Sequence, residues 1–296
     1  MKVWFPSYYL ESHRDPTHRA HLAALLAERG YLCVGDESLE AAASCDVALI
    51  GAIFKHLPYK RVLRAVPRKM PAVHVCWDLY PWAFESPDAP AWEDYAGMLR
   101  EAADIWVPNT GTAGRVRERV GQDAFVMKPA IHPWERPPVC GPQGCVIDVM
   151  RAYPTDPNYR AVTAVCAELG LPCLEPRHQM PQELYRSVVS GARLLVSAYY
   201  EASTGGLSLH EGYYHGVPVL CSDSPLHGGR ELFGDRAHYF RWDDREDLRC
   251  RIEDLYRRGV ETEPRILAHR WEWLRQEYGE EAYADRVAKR LKEVFG

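Results

Sequence analysis

The sequence predicts an α/β protein made of two parallel-sheet halves, and three observations carry that reading. Short apolar runs alternate with amphipathic helical stretches along all 296 residues, the pattern of parallel strands joined by crossover helices. The cycle is interrupted at residues 135–144, "ERPPVCGPQG", with three prolines and two glycines in ten positions, and then restarts. The chain also exceeds the usual size of one core, which makes two domains of about 100–150 residues the default.

Taken in order, "MKVWFP" reads as a first strand and "PTHRAHLAALLAERG" as a helix. Leu22, Leu25 and Leu26 share one face of that helix, and Gly30 stands where a helix ends. "YLCVGD", "CDVALIGAIF" and "PAVHVCWDL" read as strands, "AWEDYAGMLREA" as a helix and "DIWVPN" as a strand. "TGTAGRVRERVG" is a short helix closed by Gly121, and "FVMKPAIHP" is the last strand of this half. After the linker come strand "CVIDVM", helix "NYRAVTAVCAELG", strand "PCLEP", helix "MPQELYRSVVSG" and strand "ARLLVSAY". A Gly-containing loop and helix, strand "VPVLCSD" and helix "DREDLRCRIEDLYRRG" follow, and the tail is long and amphipathic. The expected division is a Rossmann-like domain over 1–138, a second over 139–268, and a tail over 269–296 returning to the first. Ligands of such open sheets bind at the strand ends, here in the cleft expected between the halves.

Composition narrows the function. A hydrophobic fraction of 47% with 26% charged residues is ordinary for a globular chain. No run approaches the length of a membrane span, and "MKVWFPSYYLESHRD" lacks the apolar core of a signal peptide. The nine cysteines are scattered singly, so reduced thiols in a cytoplasmic protein are expected. Cys140 and Cys145 in "CGPQGC" have no second ligand pair of suitable spacing, so no zinc site is expected. A net charge of −5 opposes general polyanion binding. Residues 47–77, however, hold no acid and carry Lys60, Arg61, Arg64, Arg68 and Lys69. Arg61, Arg64 and Arg68 share a helical face. That strip reads either as a solvated face or as a docking strip for an anionic acceptor, DNA or a membrane surface.

The chemistry concentrates in "EASTGGLSLHEGYYHGVPVLCSD", residues 201–223. Gly205 and Gly206 remove Cβ atoms where a backbone must approach a ligand closely. A helix starting near Leu207 would aim its free N–H groups and dipole at the same place, which suits phosphate oxygens. Glu211, just over one turn in, suits a ribose diol as an acceptor of two hydroxyl hydrogen bonds. Together these features describe a nucleotide-diphosphate site, while a plain turn before a helix is the alternative. His132, His210 and His215 are read as packing residues.

The order of these residues resembles the donor-site motif of the family 4 (GT4) retaining glycosyltransferases. Gly206-Leu207, Glu211, Gly216-Val217-Pro218-Val219 and Ser222-Asp223 fit that motif, as do Gly229, Glu231, Gly234 and Asp235 beyond it. The resemblance is specific over residues 196–235 and looser over the rest of the chain. It implies the GT-B fold, with two Rossmann-like domains facing across a cleft and a C-terminal helix crossing back. It also implies sugar transfer from a nucleotide-diphosphate sugar, with no metal and no further cofactor. Arg151 would grip the diphosphate, and Arg160 would stand in for a lysine that the family carries and this chain lacks. The loop with Ser203, Gly205, Gly206 and Leu207 would hold the donor, Glu211 the ribose, and the loop with His178 would edge the base.

Two departures touch the sugar. Glu201 stands ten positions before Glu211, where the family keeps its first glutamate eight before, the place of Ser203. Glu201 is therefore read as the sugar-positioning group with two extra loop residues. Trp77-Asp78 replaces the family's His-Asp, which leaves Asp78 for the polar contact. Three further readings stand beside transfer to a small or polymeric acceptor. They are transfer onto a modified base in DNA, a nucleotide-sugar-binding protein without turnover, and a sugar-nucleotide epimerase of the same fold.

Overall fold

The computed structural model describes residues 1–5, 17–35, 39–51, 70–75, 92–131, 143–149, 156–175, 181–202 and 207–296. The chain divides into two compact units, Met1–Ala130 with Glu280–Gly296, and Ile131–Gly279. Among the described residues, no helix is long and apolar enough to cross a membrane.

The first unit holds a six-stranded sheet in the order β2-β1-β3-β4-β5-β6. Its strands are β1 Lys2–Phe5, β2 Leu32–Gly35, β3 Val47–Gly51, β4 Ala72–Val75, β5 Asp104–Val107 and β6 Phe125–Val126. Every neighbouring pair is parallel. Side chains alternate between faces with the period of a strand. Val3, Phe5, Val73, Val75 and Trp106 enter one core, and Trp4, Ala48, Ile50 and Ala72 the other. Helix Thr110–Val120 starts where the Asn109 side chain accepts the Thr112 N–H at 2.8 Å and ends at Gly121, left-handed at φ 76°.

The second unit repeats the plan with a five-stranded parallel sheet in the order β13-β11-β9-β7-β8. These are β7 Val146–Asp148, β8 Cys173–Leu174, β9 Leu194–Ser197, β11 Val219–Ser222 and β13 His238–Phe240. A further two-stranded pair joins β10 Glu201–Ala202 to β12 Leu226–His227. Strand β13, the β10–β12 pair and the short helix Gly229–Phe233 were not expected as elements. Each is too short to show a period in the sequence.

The amphipathic tail is two helices. Pro264–Tyr278 packs Leu274 and Tyr278 into the second unit's core. Glu280–Phe295 packs Tyr283, Val287 and Leu291 into the first unit's core, beside Val3 and Leu26. The last helix is held there by polar contacts as well. Arg29 bonds Glu281 and Asp285, each at 2.7 Å, and the Tyr31 hydroxyl donates to the Ala288 carbonyl at 2.7 Å.

Candidate functional site

All five strands of the second sheet run the same way, so the segments leaving β7, β9, β11 and β13 gather at one edge. Backbone and side-chain bonds lace them together. Asp156, beyond β7, is buried and accepts the N–H of Tyr200, beyond β9, at 3.1 Å. Burial raises the Asp156 carboxyl above its ordinary range, against the N–H bonds from Asn158 and Tyr200 that lower it. Asn158 donates to the Ala198 carbonyl at 2.7 Å and to the Trp242 carbonyl at 3.0 Å. The Trp242 N–H reaches Asp223 Oδ1 at 3.1 Å, and the ring of Tyr200 lies 4.7 Å from that of Trp242. Asp223 of the Ser-Asp motif thus ties the ends of β11 and β13 together.

Helix Leu207–Tyr214 opens directly after the glycine pair, with Glu211 at its fifth position. It lies close on β9, because a Cβ on Gly212 would fall 2.1 Å from Leu195 Cδ1. The Tyr185 hydroxyl, from helix Gln182–Gly191, donates to Glu211 Oε2 at 2.5 Å and lies 2.5 Å from Ser208 Oγ. Glu211, Ser208 and Tyr185 are all half-buried, which orients the carboxylate without closing it off from solvent. The pairing of Tyr185 with Glu211 escapes sequence reading, since its "LY" pattern reads only as the apolar face of a helix.

Arg160 stands just before helix Ala161–Leu169 with a left-handed backbone, φ 58°, unusual for a residue with a side chain. Its guanidinium lies 5.1 Å from the Tyr159 ring centre. Leu207 is the first residue of its helix, and Glu201 lies in β10, paired opposite Leu226. Asp78, Arg151, His178, Ser203, Gly205, Gly206 and the basic strip Lys60, Arg61, Arg64, Arg68 and Lys69 lie outside the described residues. Among the described residues, no cluster of His, Cys, Asp and Glu is placed to hold a metal ion. His210 packs as expected, its ring stacked 4.1 Å from Phe233.

His227 is buried at the end of β12. Its Nδ1 accepts the Gly229 N–H at 3.0 Å, and its Nε2 lies 2.9 Å from Ser197 Oγ. Burial pushes His227 down to about 3 and His74, in β4 of the first unit, down to about 4. Each stays neutral in the fold while the unfolded chain takes up a proton near its ordinary value of about 6.5. The unfolded state therefore binds more protons as pH falls. Stability from these two residues is complete above about pH 6.5 and falls away below it, by about 2 kcal/mol per histidine at about pH 5. Urea unfolding midpoints should drop accordingly between neutral and mildly acid buffer, and level midpoints would refute this.

No protein-family model matches the sequence, and no curated protein sequence matches it. Solved structures do match along essentially the whole chain. Sucrose-phosphate synthase from Thermosynechococcus elongatus gives a TM-score of 0.65 at 13% identity, covering 100% of this chain and 99% of its own. A glycosyltransferase from Rickettsia africae gives 0.63 at 10% identity, covering 99% and 98%. Anabaena HepE in complex with UDP-glucose gives 0.61 at 11% identity, covering 99% and 100%. With the two parallel-sheet units, these matches define the fold as GT-B. At such identities they define the fold alone, and function has to be argued from the site.

Proposed function

We propose that this chain is a glycosyltransferase that draws its sugar from a nucleotide-diphosphate donor bound at the edge of the second sheet. The observation that carries the reading is Glu211, set just over one turn into the helix that follows the glycine pair and held by Tyr185 at 2.5 Å. A carboxylate so oriented accepts a ribose diol, while the N–H groups and positive dipole end of the same helix face the diphosphate. The GT-B neighbours support the reading, since HepE is described in complex with UDP and with UDP-glucose. The GT4-like order of Gly206-Leu207, Glu211 and Gly216-Val217-Pro218-Val219 supports it from the sequence.

In this reaction the bond from the anomeric carbon to the diphosphate oxygen breaks and a bond to an acceptor oxygen forms. The acceptor proton passes to the departing phosphate oxygen, so the sugar is transferred from its front face with retention and without a protein nucleophile. Arg151 and the helix start stabilise charge developing on the diphosphate. Arg160 adds positive charge beyond β7, Glu201 and Asp78 position the sugar, and Ser203 and His178 complete the donor loops. Neither a metal nor a cofactor is required for this charge balance.

The test is thermal-shift binding against UDP, GDP, ADP, CDP and dTDP and their sugars, without added metal, starting with UDP-glucose. One nucleotide should stabilise the protein clearly, and no shift with any of them would refute the proposal. Glu211→Ala should then weaken binding of that nucleotide by about 10- to 100-fold, because hydrogen bonds to a charged acceptor are worth about 1.5–3 kcal/mol. Tyr185→Phe, which removes only the group orienting that carboxylate, should cost about 3- to 10-fold. Calorimetric titration measures both, and unchanged affinity in the alanine variant would displace the ribose site.

A further inference from the structure

The geometry points to His227 as a positioning residue that holds the sugar-side segment of the donor site in place, separately from the nucleotide-side group Glu211. This rests on the donor-site reading above. Three connections meet at His227. Its backbone pairs with Ala202 in the parallel β10–β12 bridge, which fixes the segment carrying Glu201. Its Nδ1 accepts the Gly229 N–H, so the proton sits on Nε2 and is donated to Ser197 Oγ at 2.9 Å. Ser197 ends β9 and is fully buried, so the imidazole ties that strand end to β12 and to the start of helix Gly229–Phe233.

The fit around the ring is close. A Cβ on Gly229 would fall 2.8 Å from His227 Nδ1 and 3.0 Å from the Cys221 Cβ. Glycine at that position is thus what lets the backbone reach the imidazole. Leu207–Tyr214 and Tyr185, which carry the nucleotide-side contacts, receive neither of the two side-chain bonds of His227. The latch therefore acts on β10 and the Gly228–Gly229 turn and leaves the Glu211 cluster alone.

The experiment compares the wild-type chain with Ser197→Ala, His227→Asn and His227→Leu. Ser197→Ala removes one partner with almost no change in volume and is the mildest of the three variants. Asparagine keeps an acceptor near the place of Nδ1 and loses the Ser197 bond, while leucine keeps neither. Hydrogen exchange by mass spectrometry reads peptides over 198–202 and 207–214, alongside UDP affinity and the kcat and KM for UDP-glucose consumption. The expected result is amide exchange about tenfold faster over 198–202 in Ser197→Ala, an opening free energy lowered by about 1.4 kcal/mol. Exchange over 207–214 should stay unchanged, with UDP affinity within about twofold. His227→Leu should lose kcat by at least about tenfold with KM little changed, and His227→Asn should recover part of that loss.

Exchange that rises uniformly across the second unit, or kcat and UDP affinity that fall together, would reduce His227 to a core filler and overturn the inference. If wild-type protein binds no nucleotide, the donor reading fails and the positioning role fails with it. Exchange confined to 198–202 would still identify the latch itself, so the two failures are told apart.

Discussion

Asp104→Ala is expected to destabilise the first unit by about 3 kcal/mol, since removing one partner leaves a charge of a buried pair uncompensated. Asp104 is 9% exposed at the start of β5. Its two oxygens take a fork from the last helix, with Arg290 Nε at 2.8 Å on Oδ2 and Nη2 at 3.0 Å on Oδ1. The Trp106 indole N–H adds a bond to Oδ2 at 2.7 Å. The Asp104 hydrogen bond raises the Arg290 guanidinium further above its already high range, against the opposing effect of burial. Arg290 also lies 4.3 Å from the Phe125 ring centre. Without Asp104 the guanidinium regains water only in part, because its side chain is 25% exposed. Denaturant unfolding followed by tryptophan fluorescence measures the loss. The exposed pair of Arg117 and Asp123, with side chains 74% and 79% exposed, provides the contrast, and Asp123→Ala should be nearly silent. Equal effects from both variants would show that burial is not what gives the Asp104 pair its weight.

Gly216→Ala should be about as damaging in the second unit, at about 2–5 kcal/mol, for a different reason. Gly216 has φ +91°, and a Cβ there would stand 2.2 Å from the Glu261 carbonyl oxygen and 3.0 Å from Leu267 Cδ2. The first of these is backbone, and it cannot turn away as a side chain would. The Glu261 N–H is itself bonded to the Gly216 carbonyl at 2.9 Å, so the two strands of chain are locked face to face. Gly170 supplies the control, with φ +67° and nothing within 4 Å of a built Cβ. Gly170→Ala should cost only the conformational penalty of about 1–2 kcal/mol. A melting comparison of the two variants separates strain from collision. It also gives the glycine of "HGVPVLCSD" a structural role, as the place where the segment around Glu261 docks.

The elements with a period were legible from the residues. Alternating strands, helices ended by Gly121 and Gly170 in left-handed conformations, and a helix opening at Leu207 with Glu211 inside it all follow from local rules. Those rules concern neighbours within a turn or a pleat, and the chain carries them wherever it goes. The partners of these residues were not legible. Tyr185 meets Glu211 from 26 positions away and Ser197 meets His227 from 30. Asp104 meets Arg290 across 186. In a parallel sheet each strand reaches its neighbour through a crossover, so strand order and register set which strand ends share an edge. No local pattern encodes that choice. The tail shows the same division, because its amphipathic period predicts helix throughout. Only the packing of Leu274 and Tyr278 into one core and of Tyr283, Val287 and Leu291 into the other decides that it is two helices serving two units. The sequence by itself determined the secondary elements that carry a clear period and the residue types at the edge where a donor site is proposed. The tertiary structure decided which side chains orient them, because burial and register bring together residues that the chain keeps far apart.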